Sequence, residues 1–125
     1  MLVLIVEDCA IDAKLERAAL EGRGYDLLVA SDAADAFRIL RTCRPDLILM
    51  DIHLPDMDGL ELTRWLRTED ELRGTLIIAT TAYTVDTTRE QALAAGCDGY
   101  ITKPIDVHSL PSILDRFLRD SGGDG

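Results

Sequence analysis

Aromatic residues make up only 5% of this 125-residue chain, so its core must rest on leucine, isoleucine, valine and alanine. Cysteine is also scarce. Cys9, Cys43 and Cys97 are odd in number and lack C-x-x-C spacing, which argues against a disulfide framework and for a reducing, cytoplasmic setting. Cys9, beside an acidic pair, is read as a small semi-buried filler rather than a redox group. No Cys/His cluster is present to hold zinc, and neither a Walker-type loop nor a G-x-G-x-x-G occurs to cradle a nucleotide phosphate. No apolar run is long enough to span a bilayer, and no positively charged leader precedes the first one. No membrane segment or signal peptide is therefore expected. Basic residues are outnumbered 13 to 23 by acidic ones, giving a net charge of −10 that repels nucleic-acid phosphates.

What the chain does contain is a regular alternation of strand-like and helix-like pieces. Leu2–Val6 is a continuous apolar, β-branched run, the pattern of a strand buried on both faces. Residues 10–22 then place Ile11, Leu15, Ala18 and Ala19 at helical spacing, ended by Gly22 and Gly24. A second strand spans 25–30. Ser31 or Asp32 then caps a helix with Ala33, Ala36, Phe37 and Leu40 on one face. Pro45-Asp46 precedes a strand at 47–50. The segment 53–59, with Pro55, Asp56, Asp58 and Gly59, is a loop, and the helix after it turns Leu62, Trp65 and Leu66 inward.

A fourth strand covers 76–80. A weaker helix over 85–95 offers little more than Ala92, Leu93 and Ala95, and a fifth strand covers 98–102. The last helix carries the stripe Leu110, Ile113, Leu114, Phe117 and Leu118. Pro111 places the start of that helix near 109–110, or makes its first turn irregular. Five strands and five helices in βα order predict a doubly wound α/β three-layer sandwich around a parallel sheet, one domain over 1–120 with a frayed tail at 121–125.

Four of the five strands run into chemistry. The first meets Glu7 and Asp8, the third Asp51, the fourth Thr80-Thr81 and the fifth Lys103-Pro104. In an open parallel sheet those ends line one crevice, where ligands bind. The bland alternatives are helix capping for Glu7-Asp8, a strand-end filler for Thr81 and a surface position for Lys103. Three carboxylates brought together repel one another, however, and a hard divalent cation relieves that repulsion. An oxygen-only ligand set favours Mg²⁺. The ammonium of Lys103 suits a carboxylate or a phosphoryl oxygen, and the hydroxyl of Thr81 can donate to the same oxygens.

Taken together, I-V-E-D at 5–8, D-L-I-L-M-D-I-H-L-P-D-M-D-G at 46–59, T-A at 81–82 and K-P at 103–104 resemble the receiver domain of bacterial response regulators. The match runs from Leu2 to about Leu118 and is similar to stand-alone receivers in particular. The resemblance implies a flavodoxin-like strand order 2-1-3-4-5. It further implies a phosphoacceptor switch that assists its own phosphorylation and dephosphorylation without being a conventional enzyme.

On that basis Asp51 accepts a phosphoryl group from a sensor histidine kinase or phosphotransfer protein. Asp8, Asp51 and the backbone carbonyl of His53 ligate Mg²⁺, with Glu7 acting through water, while Lys103 and Thr81 contact the phosphoryl oxygens. Tyr100 is the aromatic that turns inward, switching contacts with a downstream protein through the surface of the fourth helix, fifth strand and fifth helix. Asp56 and Asp58 are turn and cap residues. His53 and Tyr83, two after Asp51 and Thr81, are expected to modulate phosphoryl lifetime, with Tyr83 slowing hydrolysis.

Other readings fit less well. A Mg²⁺-dependent aspartyl-phosphate phosphatase of the haloacid-dehalogenase type usually carries a second Asp two after its nucleophile, where this chain has His53, and there is no room for a cap domain. A flavodoxin-like FMN carrier needs a Ser/Thr/Gly-rich loop where Glu7-Asp8-Cys9 stands. A receiver that acts as a constitutive adaptor would not need the full acceptor set. The chain can also be a receiver cut from a hybrid kinase or relay, although Met1 directly before the first strand and the Gly-rich end favour a free-standing protein. The expected partners are proteins, with neither nucleic acid nor membrane, and the expected state is a monomer or weak dimer.

Overall fold

In the computed structural model, which describes residues 1–82 and 89–122, every strand end named above lies on one edge of one sheet. The elements alternate as β1 (Leu2–Val6), α1 (Ala10–Leu20), β2 (Asp26–Ala30), α2 (Ala33–Leu40), β3 (Leu47–Asp51) and α3 (Gly59–Arg67). A 3-10 turn at Asp70–Leu72 leads to β4 (Leu76–Ala82), α4 (Arg89–Ala95), β5 (Gly99–Lys103) and α5 (Leu110–Gly122). All strand pairs are parallel, in the order β2-β1-β3-β4-β5. This is the flavodoxin-like, doubly wound α/β sandwich that the alternation and the resemblance implied. Among the described residues no helix is long and apolar enough to cross a membrane.

The period-2 rule of a strand divides the core cleanly. Leu4, Val6, Ile48, Met50, Ile77 and Ala79 face one side and pack on Ala36, Leu40, Leu62, Leu66, Ala92 and Ala95 of α2, α3 and α4. Val3, Ile5, Leu47, Leu49 and Ile78 face the other and pack on Leu20, Leu110 and Leu114 of α1 and α5. Burial on both faces explains why the central strands read as unbroken apolar runs.

Two helices cap as their sequences suggest. The Asp32 carboxylate accepts from the Asp35 amide at the start of α2, and Asp58 accepts from the Leu60 amide at the start of α3. Pro111 sits in the first turn of α5, where its missing N–H is no loss.

Three inward-facing expectations fail. On α1, Ile11 is 72% exposed and Leu15 is exposed too, while Glu16 and Leu20 are the buried residues. On α3, Trp65 is half exposed; it packs edge-on against Phe37, with ring centroids 4.8 Å apart. On α4, Leu93 is exposed, leaving Ala92 and Ala95 as the buried residues. Cys9, expected to be semi-buried, is exposed and occupies the cap position of α1 without a side-chain hydrogen bond.

Candidate functional site

The register of the sheet builds the site. Val6 pairs with Met50, Asp51 with Thr80, and Ala82 with Lys103. Glu7, just beyond Val6, therefore stands level with Asp51 and Thr80, and Lys103, two residues past the Ile101 that pairs with Thr80, reaches back over that edge. Carboxylate oxygens of Glu7, Asp8 and Asp51 lie within 4.8 Å of one another. Glu7 and Asp51 are only 2% and 3% exposed, whereas Asp8 is open to solvent.

Asp51 is held at both oxygens. Its Oδ1 accepts from the His53 amide at 2.9 Å, and its Oδ2 lies 3.3 Å from Lys103 Nζ. The chain leaves β3 tightly: the Gly59 amide donates to the Ile52 carbonyl at 2.9 Å, and His53 bridges to Asp58. His53 itself is exposed.

Lys103 is shared among three carboxylates. Its Nζ is 2.6 Å from Glu7 Oε1 and 3.3 Å from both Asp51 Oδ2 and Asp12 Oδ2. The peptide bond to Pro104 is cis. Burial of Lys103 opposes its charge, but the Glu7 hydrogen bond and the Asp51 charge outweigh that and raise its pKa above the usual lysine value. Glu7 is pushed up to about 9, chiefly by burial and then by the adjacent Asp51, against the pull of Lys103. In the absence of a cation this pocket has more carboxylate than one ammonium can balance.

Two acidic residues of α1 belong to the pocket and were absent from the sequence reading. Asp12 reaches Lys103, and one turn later Glu16 is 1% exposed with Oε2 unpartnered. Burial lifts Glu16 to about 7, moderated by a hydrogen bond with Glu7. The available signal was the spacing of Asp12 and Glu16, four apart, which places the two acids one above the other on the helix that starts just after Asp8.

The other expected site residues fall as follows. Thr81 is buried in β4, with its hydroxyl donating at 3.4 Å to the Ala82 carbonyl; Thr80 is buried as well, with its Oγ1 unpartnered. Tyr100 is half-buried against the α2–α3–α4 layer of the core. Tyr83 lies outside the described residues. Asp56 does more than turn the chain: its two oxygens accept from the Ala33 and Ala34 amides at 3.0 Å each, capping α2 from the β3–α3 loop. Those bonds, led by the one from Ala33, hold its carboxyl below the usual range.

Arg67, also unread in the sequence, ties the far end of the sheet. It donates to the carbonyls of Gly96, Leu72 and Thr75 at 2.9, 3.1 and 2.7 Å and pairs with Asp98 at 2.8 Å. Asp98 in turn accepts from the Ile77 amide at 2.9 Å.

An open parallel sheet in this order, with three acids and a lysine converging at its carboxyl edge, is the architecture of a receiver. The sequence profile of the response regulator receiver domain matches residues 3–115. The polar-differentiation response regulator DivK of Brucella anthropi is 41% identical over 119 residues, covering 95% of this chain and 97% of the relative. That of Brucella ovis is 40% identical with the same coverage.

Among solved structures, a CheY-like receiver from Methanospirillum hungatei superposes with a TM-score of 0.89 at 29% identity, covering 99% and 98% of the two chains. The receiver domain of a Pseudomonas aeruginosa sensor histidine kinase, solved with a magnesium ion coordinated in its active site cleft, gives 0.83 at 36% identity, covering 94% and 96%. The chain belongs to the response regulator receiver family of two-component signalling.

Proposed function

We propose that this protein is a phosphorylation switch in which Asp51 accepts a phosphoryl group from the phosphohistidine of a sensor histidine kinase or phosphotransfer protein. The observation that supports this most directly is the buried Asp51 carboxylate, with one oxygen fixed by the His53 amide and the other 3.3 Å from the Lys103 ammonium. An Asp51 oxygen attacks phosphorus, the new O–P bond forms as the N–P bond breaks, and the imidazole nitrogen departs with the electron pair. The transition state is loose, so positioning and charge neutralisation supply most of the catalysis.

The donor set fits Mg²⁺: three carboxylates and no sulfur or imidazole among the grouped ligands. Asp8, Asp51 and the His53 carbonyl would hold the ion, with Glu7 acting through water. When bound, Mg²⁺ neutralises charge on the phosphoryl oxygens and on the crowded carboxylates. Lys103 supplies the fixed positive charge beside Asp51, and Thr81 supplies a hydroxyl donor. Water attack on the acyl phosphate returns the carboxylate and releases inorganic phosphate.

The acyl phosphate adds about −1.5 to −2 charge at the edge of the sheet, on the scale of other phospho-residues. Thr81 is drawn toward it and Tyr100 fills the vacated space, altering the α4–β5–α5 face for a downstream protein. In support, α4 rests on the small Ala92 and Ala95, which anchor it weakly against displacement. A cytoplasmic location and output through protein contact complete the proposal.

Incubation with Mg²⁺ and a small acyl-phosphate donor, followed by intact-mass measurement, tests the acceptor. A single phosphoryl increment is expected in the wild type and none in Asp51→Asn. An unmodified wild type with cation bound, or an increment that persists in Asp51→Asn, overturns it.

A further inference from the structure

We propose that Asp12 is a positioning residue: its carboxylate is the berth that keeps the Lys103 ammonium at the pocket when a divalent cation takes up Glu7, Asp8 and Asp51. This rests on the reading that the pocket binds such a cation. The Lys103 ammonium touches three carboxylates, and two of them, Glu7 and Asp51, belong to the group whose oxygens converge within 4.8 Å of one another. Asp12 pairs with Lys103 at 3.3 Å, the same separation as Asp51, but stands outside that group, on α1 rather than on a strand end.

A dication among the three grouped acids repels an ammonium at hydrogen-bond range from two of them, and the interaction is barely screened where Glu7 and Asp51 are buried. Three carboxylates balance a dication and an ammonium in charge, but cation and lysine then compete for the oxygens of Glu7 and Asp51, and a further acid beside the ammonium relieves that competition. Asp12 supplies that group. The plain alternative is that an acid in the first turn of α1 serves the helix dipole. That role needs no partner, yet Asp12 meets a lysine 91 residues away in sequence. Its side chain is 37% exposed and the lysine's 17%, so the pair sits at the rim, where the ammonium can lean outward without leaving the site.

Calorimetric titration of Mg²⁺ into the full chain distinguishes the two roles through a double-mutant cycle. Asp12→Asn is expected to weaken Mg²⁺ binding about five- to tenfold when Lys103 is present. In Lys103→Met, and in Lys103→Gln as a second background, the same substitution is expected to change the dissociation constant by less than about twofold. Asp12→Glu, which keeps the charge, is expected to bind within about threefold of wild type. An equal penalty for Asp12→Asn in all backgrounds would show that the residue is only one more negative charge, and overturns the proposal alone. So would the absence of any penalty beside Lys103. A wild type that takes up no Mg²⁺ overturns the cation reading and this inference with it.

Discussion

The α-carbon of Gly59 sits so close to the end of β3 that a methyl group placed on it would lie 2.4 Å from the Asp51 carbonyl oxygen and 2.5 Å from the Ile52 α-carbon. Both neighbours are backbone, so neither can swing away. The glycine that opens α3 is thus part of how β3 ends, and it requires close approach rather than an unusual dihedral angle.

Gly59→Ala is expected to destabilise the protein by about 1–3 kcal/mol, the usual cost of forcing volume into a packed site. Urea unfolding should show a lower midpoint with an unchanged slope. Phosphorylation of Asp51 by an acyl-phosphate donor should slow as well, because the peptide carrying the acceptor must shift. Wild-type stability together with a wild-type rate would contradict this.

Arg67 joins α3, the turn after it, α4 and β5 through one guanidinium that is largely covered. Its removal strands several carbonyls and the Asp98 carboxylate. Arg67→Ala should therefore cost on the order of 2–4 kcal/mol. Arg67→Lys should recover little of the loss, since a single ammonium cannot match the fork. Chemical denaturation of the two variants checks the claim, and full rescue by lysine would refute it.

Much of the architecture was readable because each central strand opens on an unbroken apolar run and each helix is bounded by a cap, a glycine or a proline. The convergence of Glu7, Asp8, Asp51 and Lys103 was readable because these residues lie at the ends of those strands. Helix α1 was misread for a physical reason. Ile11 and Leu15 carry the apolar stripe, but Glu16 is the side chain turned inward, and its burial is eased by Glu7, just before the helix, and by Lys103, which arrives from β5 far along the sequence. The spacing of Asp12 and Glu16 marks an acidic face, but nothing local announces the lysine that meets it. Arg67 went unread on the same account: its partners are carbonyls and a carboxylate contributed by separate segments. Trp65 was placed inward by helical spacing, yet α3 buries Leu62, Thr63 and Leu66 instead and leaves the indole on the flank.

Burial holds Glu16 protonated to about pH 7, against its ordinary value of 4.5. Between those values the native state keeps a proton that the unfolded chain has released, so stability falls as pH rises through this window and levels off above it. In EDTA, the stability of Glu16→Leu relative to wild type should therefore rise by on the order of 3 kcal/mol between pH 4.5 and pH 7 and stay level on either side of that window. Parallel stability–pH curves for the two proteins would defeat this account.

Divalent cation should stabilise the fold by mass action, since the three grouped carboxylates are dispersed on unfolding. At about one hundred times its dissociation constant, Mg²⁺ is expected to add about 2.7 kcal/mol. Asp8→Asn should abolish most of that increment, and EDTA should reverse it. Thermal melts at stepped Mg²⁺ concentrations provide the measurement; a midpoint indifferent to Mg²⁺ would count against the site.

Because Asp56 grips the Ala33 and Ala34 amides from the loop that leaves β3, those two protons are held in these bonds only while the loop stays docked. Their hydrogen-exchange rates therefore form a natural gauge of loop opening, read on a neighbouring helix and without any label at Asp51. A rearrangement that frees the loop would register there as a loss of protection.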